Sequence, residues 1–87
     1  MAGFDLGRIV ATPGAIETIG HEGCLRLLRR HAGADWGDLG DFDRRQNERA
    51  IRDGERLFSF YATASGKVWI ITEADRSSTC VLLPSEY

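Results

Sequence analysis

The sequence lacks most of the features that identify a function at once. Its two cysteines, Cys24 and Cys80, are too few to staple a small secreted domain and point to a reducing compartment. The segment Met1-Ala2-Gly3-Phe4-Asp5 has no basic region followed by an apolar run, so no export signal is expected. No stretch approaches the ~18 apolar residues of a membrane span. The expectation is a soluble, cytoplasmic protein. Positive charge is also scarce: eleven Lys and Arg against thirteen Asp and Glu leave a formal net charge of -2. That balance excludes a general electrostatic attraction to nucleic acid or anionic membrane. It is equally too weak to imitate the phosphate array of DNA. The two histidines, His21 and His31, stand at opposite ends of one expected helix, and no His-x-x-x-His or Cys-x-x-Cys occurs. Neither a metal site nor a cofactor is called for.

What is present is enough for one small domain spanning residues 1–87, because 43% hydrophobic and 28% charged residues are globular proportions. Leu6 to Thr12 reads as a short strand around β-branched Ile9 and Val10. Thr12-Pro13 then supplies an N-cap and a first helical residue, and a short helix runs through Ile19 to close at Gly20. A second helix covers about Glu22–Ala32, with Cys24, Leu25, Leu27, Leu28 and Ala32 as its apolar stripe. A glycine- and aspartate-rich loop, Gly33–Gly40, surrounds Trp36. Asp41 is positioned to cap a third helix ending at Gly54. That helix is polar nearly all round, and Asp41/Arg45, Glu48/Arg52 and Arg49/Asp53 are spaced to pair along it.

The C-terminal third carries the plainest structural signal. Arg56–Thr63, Lys67–Glu73 and Ser78–Leu83 are rich in aromatic and β-branched residues and are separated by turn residues. A two-residue loop at Ser65-Gly66 would set Ala62 against Trp69 and Phe60 against Ile71. A four-residue loop at Ala74–Ser77 would set Ile71 against Cys80 and Trp69 against Leu82. One face then holds Phe58, Phe60, Trp69, Ile71, Cys80 and Leu82, and its aromatic bulk marks it as the floor for the helices. The expected fold is α+β: a three-stranded antiparallel meander packed against two to three N-terminal helices, with an extra N-terminal strand at an edge.

Residues that could carry chemistry are few. His31 lies in the last turn of its helix, where the negative end of the helix dipole favours it, and the structural role outweighs general-base duty. The loop aspartates, Asp35 and Asp38 among them, fit Asx-turns better than a calcium loop, since no bidentate Glu closes the pattern. Trp36 is either a plug over the core or an exposed anchor for a partner. Arg45, Arg49, Arg52 and Arg56 form one stripe, read either as a contact for acidic groups or as a solvated face. The stretch Glu73-Ala74-Asp75-Arg76-Ser77-Ser78-Thr79 is a polar cluster best explained as turn chemistry. With no triad, metal set or phosphate cradle, binding is favoured over turnover. The expected partner surface is Asp35, Trp36, Asp38, Arg45, Arg49 and Arg52.

Taken together, several segments resemble a known family. They are Leu6-Gly7-Arg8-Ile9-Val10-Ala11-Thr12-Pro13-Gly14-Ala15, His31 with Asp35-Trp36-Gly37-Asp38, Trp69-Ile70-Ile71-Thr72-Glu73-Ala74-Asp75-Arg76-Ser77, and Leu82-Leu83-Pro84-Ser85-Glu86-Tyr87. The chain resembles small bacterial proteins of plasmids and integrated mobile elements, often labelled plasmid-related or mislabelled as a restriction-modification subunit. Phe58-Ser59-Phe60-Tyr61 departs from that family's Leu-Ser-Ala-Tyr, and Cys80 stands where threonine is common. The resemblance implies context and no catalytic residues. Small proteins of mobile elements help them persist, so it implies an inhibitor of host restriction or CRISPR machinery acting by protein contact. The alternatives are a small ribonuclease or toxin built on His31, Glu73, Asp75 and Arg76, and a nucleic-acid-binding regulator using the arginine stripe.

Overall fold

The computed structural model describes residues 3–87; Met1 and Ala2, which belong to the segment read for an export signal, lie outside the described residues. The chain is α+β. Strand β1 (Arg8–Ala11) leads into helix α1 (Pro13–Ala32) and helix α2 (Asp41–Asp53), followed by β2 (Leu57–Thr63), β3 (Gly66–Thr72), β4 (Ser78–Leu82) and a 3-10 turn over Pro84–Glu86. The sheet order is β1-β4-β3-β2, with β2, β3 and β4 an antiparallel meander and β1 added in parallel to β4 at the edge. Among the described residues, no helix is long and apolar enough to cross a membrane.

Local chemistry explains most boundaries. The Thr12 hydroxyl accepts a hydrogen bond from the Ala15 amide at 3.1 Å, and Pro13 occupies the first helical position, where its missing N–H loses nothing. Gly20 has φ +74°, so the two expected helices are the halves of α1 on either side of this break. Gly54 adopts the left-handed conformation that ends α2. Asp41 does not cap α2. Gly40 holds the cap position with no side-chain bond, and Asp41 sits inside the first turn, where its charge favours the positive end of the helix dipole. Its ion pair is with Arg44 at 2.8 Å, three residues on, rather than with Arg45.

Two expectations about the sheet are corrected. The β2–β3 register sets Phe60 against Trp69 and Phe58 against Ile71, a two-residue slip from a Ser65-Gly66 loop. The Thr63 hydroxyl accepts the amides of both Ser65 and Gly66, and so pulls Ala64-Ser65 into the turn position. A two-residue slip leaves every side chain on its expected face. The second correction is larger: the main helix, α1, does not pack on the aromatic face, where only Phe58 and Phe60 meet the cluster that includes Ala50 of α2. Ala15, Cys24, Leu27 and Leu28 of α1 pack on Tyr61, Val68, Ile70 and Val81, the opposite face of the sheet. Phe58, Phe60 and Trp69 remain partly exposed on the outer face. Helix α2 lies against the β2 edge, with Trp36, Leu39, Ala50 and Leu57 forming a second cluster there.

Candidate functional site

Trp36 is 2% exposed and belongs to the core, so it is not an anchor displayed to a partner. The loop around it adds what is almost another strand to the sheet. Phe60 donates its N–H to the Trp36 carbonyl at 3.2 Å, and Asp38 donates its own to the Phe60 carbonyl at 2.6 Å. Between them Gly37, at φ +77°, faces the Phe60 carbonyl where no Cβ would fit. The indole N–H donates to Glu48 of α2 at 3.0 Å. Asp35 is held by Arg30 at 2.7 Å, which keeps its carboxyl below the usual range, and it accepts the Gly37 amide as an Asx-turn. The Asp38 carboxylate accepts the Ala62 amide at 2.8 Å. Asp35, Trp36 and Asp38 therefore close the β2 edge, and Asn47 of α2 completes the closure by bonding the N–H and C=O of Phe58.

His31 is fully buried, beneath Phe4 and beside Trp36, and is the centre of a polar chain on the inner sheet face. The directions of its bonds follow from the last acceptor. Thr79 Oγ1 lies 2.7 Å from the Leu6 carbonyl and must donate to it. Thr79 therefore accepts from Thr72 at 2.7 Å, and Thr72 accepts from His31 Nε2–H at 2.9 Å. Nδ1 is left bare and accepts the Ser59 hydroxyl proton at 2.6 Å. The imidazole is thus the neutral Nε2–H tautomer. Burial pushes its pKa down to about 4. A structural role is what the sequence suggested, but by charge against the helix dipole; the imidazole instead acts as an uncharged bridge.

Glu73, Asp75 and Arg76 do not join His31 in a constellation. Arg76, at φ +61°, sends its guanidinium to the carbonyls of Ala50 and Glu55 at the end of α2, locking that helix to the β3–β4 turn. Asp75 accepts the Ser77 amide at 3.0 Å, which with the Ser77 hydroxyl holds its carboxyl below the usual range. Glu73 pairs with Arg56 at 3.4 Å. Arg56 also donates to the Tyr87 hydroxyl at 2.9 Å, and Tyr87 leans on Trp69 with ring centres 5.5 Å apart. Around them, Phe58, Trp69 and Ile71 line a shallow open cleft of about 310 Å³. Among the described residues, no group of three His, Cys, Asp or Glu side chains is placed to hold a metal ion.

The remaining predicted residues do stand together. Arg45, Arg49 and Arg52 are exposed on the side of α2 opposite buried Asn47 and Ala50, and no ion pair among the described residues involves them. Arg56 lies beyond the helix and is engaged elsewhere. Phe42, 63% exposed, sits one turn before Arg45 on the same face. Phe42 to Arg52 spans about 15 Å along the helix axis. Phe42 was not among the residues singled out in the sequence; its three-residue spacing from Arg45 is the signal that it shares the arginine face. Compared with family models, curated proteins and solved structures, the chain matches none of them.

Proposed function

We propose that this chain is a non-enzymatic binding protein of a mobile genetic element, an inhibitor of a host restriction or CRISPR system whose contact surface is the solvent face of α2. The observation that carries the reading is the exposed stripe Phe42, Arg45, Arg49 and Arg52. Phe42 stands outside both core clusters, and the three guanidiniums beside it on the helix face make no ion pair among the described residues. Together they have the composition of an interface anchor with a polar rim. The matching partner surface is acidic with an apolar recess. The arginines steer its approach and the ring supplies the buried area. What favours binding over turnover is the burial of His31 and the engagement of Glu73, Asp75 and Arg76 in structural bonds.

The test is protection of an incoming plasmid in cells with an active restriction or CRISPR system. The wild-type chain protects, while Phe42→Ser and the pair Arg45→Glu, Arg49→Glu abolish protection with unchanged melting curves. Protection that survives both variants refutes the assignment to α2. The regulator reading uses the same arginines, and steeply salt-dependent binding to random duplex DNA, lost in the Arg→Glu pair, would replace the protein partner with nucleic acid.

A further inference from the structure

The two edges of the sheet are treated differently. The β2 edge is closed along its length by Trp36, Asp38 and Asn47, which between them bond the backbone of Phe58, Phe60 and Ala62. The β1 edge has no such cover. Arg8 donates its N–H to Ser77 and Thr12 donates to Val81, so the alternation of the strand turns the N–H and C=O of Ile9 and Ala11 away from β4. Neither has a backbone partner outside the strand ladder among the described residues. Ile9 is 52% exposed and Val10 42%. A short strand with apolar side chains and free backbone groups is a template for another strand.

We propose that β1 pairs antiparallel with β1 of a second copy of this chain, joining two sheets across a two-fold axis. One register uses both outward-facing residues: Ile9 bonds Ala11 of the partner and Ala11 bonds Ile9 of the partner, with Val10 against its own copy on the axis. The alternative centred on Ile9 would bring Ala11 opposite Gly7, which has φ +65° and is no longer strand. The favoured register sets Arg8 directly opposite Thr12 of the other copy, a non-hydrogen-bonded pair whose side chains approach closely. The Thr12 hydroxyl holds the Glu86 carboxylate at 2.6 Å. Arg8 of each copy therefore meets Glu86 of the other, and neither residue has an ion pair within its own chain. Burial of Ile9 and Val10 and two symmetric Arg–Glu contacts make the second copy the complementary occupant. The inference is independent of the α2 stripe, which dimerisation does not use.

Sedimentation equilibrium across a roughly hundredfold concentration range tests it. The wild-type mass rises from monomer toward dimer. Val10→Lys, which brings two ammonium groups together on the axis, and Ile9→Pro, which removes an outward N–H while sparing those that face β4, weaken association at least tenfold. Arg8→Glu and Glu86→Lys each weaken it alone, and mixing the two variants restores a dimer containing one of each. A wild-type chain that stays monomeric throughout, or a dimer indifferent to Val10→Lys and to the charge pair, overturns the proposal. A monomer that gains affinity for an unrelated β-strand peptide would assign the edge to a different occupant and overturn it equally.

Discussion

Replacing the pH around His31 is the cleanest perturbation available, because the ring is buried, neutral and bonded at both nitrogens. Its pKa falls from an ordinary 6.5 to about 4 on folding. Between those values the unfolded chain binds a proton that the folded chain refuses, so stability rises with pH across the window. The contribution is fully present above about 6.5, is lost progressively as pH falls, and is exhausted near pH 4. A shift of that size corresponds to about 3 kcal/mol, against a total of about 5–15 kcal/mol for a small domain. The geometry gives the same sign. An imidazolium would turn Ser59 Oγ into its acceptor at Nδ1 and leave the Ser59 hydroxyl proton without the partner it now has in this buried site. Urea unfolding of wild type and His31→Leu at intervals from about pH 7 to about pH 4.5 measures it. The variant is less stable near neutrality because Ser59 and Thr72 lose their partner, and its disadvantage shrinks as the pH drops. Parallel pH profiles for the two proteins, or a His31 pKa near 6.5 by NMR, would refute the neutral bridge.

Two further expectations concern the core. Trp36→Ala costs about 3–5 kcal/mol, and Trp69→Ala, on the partly exposed outer face, costs distinctly less; chemical denaturation that ranks them in reverse would contradict the placement of the two indoles. Gly37→Ala costs at least about 2 kcal/mol, from left-handed strain and the collision with the Phe60 carbonyl, and hydrogen exchange at Asp38 and Phe60 should accelerate with it; an unchanged melting temperature would show that the loop does not pair with β2.

The parts of the fold legible in the sequence are those decided by one or two neighbouring residues. Thr12-Pro13 starts α1 and Gly54 ends α2 because capping is local chemistry. The Ala74–Ser77 loop gave the β3–β4 register, with Ile71 on Cys80 and Trp69 on Leu82, because loop length alone sets it. The β2–β3 register was missed because it turns on the Thr63 hydroxyl, a side-chain acceptor that loop length does not report. Trp36 was misplaced for a similar reason. Whether an indole between aspartates is plug or anchor depends on Gly37 bringing the loop against Phe60, and a tertiary contact of that kind has no local signature.

The choice of sheet face shows how a polar network can outrank aromatic area. By bulk, Phe58, Phe60 and Trp69 belong inside; yet the inner face carries Ser59, Thr72 and Thr79, each fully buried. Burying hydroxyls without partners costs about 1–3 kcal/mol apiece, and three would consume much of a small domain's stability. His31 removes the penalty. It lies on the Cys24, Leu27, Leu28 stripe of α1 and completes the chain from Ser59 to the Leu6 carbonyl, and among the described residues no buried side-chain polar atom is left unpaired. The trace in the sequence was a histidine in phase with an apolar helix stripe, opposite three hydroxyl residues on one face of the sheet. With α1 committed to that face, the aromatic face is covered only in part: Phe58 and Phe60 pack against the cluster that includes Ala50 of α2, and Tyr87 with its Arg56 partner leans across the cleft beside Trp69. Helix α2, fastened by Asn47 to the β2 backbone and by Arg76 at its C-terminal end, needs no second apolar stripe. That is why Phe42 is free to stand in water beside Arg45, Arg49 and Arg52. An aromatic ring outside both core clusters, 63% exposed on the same helix face as three arginines without an ion pair among the described residues, is the feature on which the proposed contact surface rests.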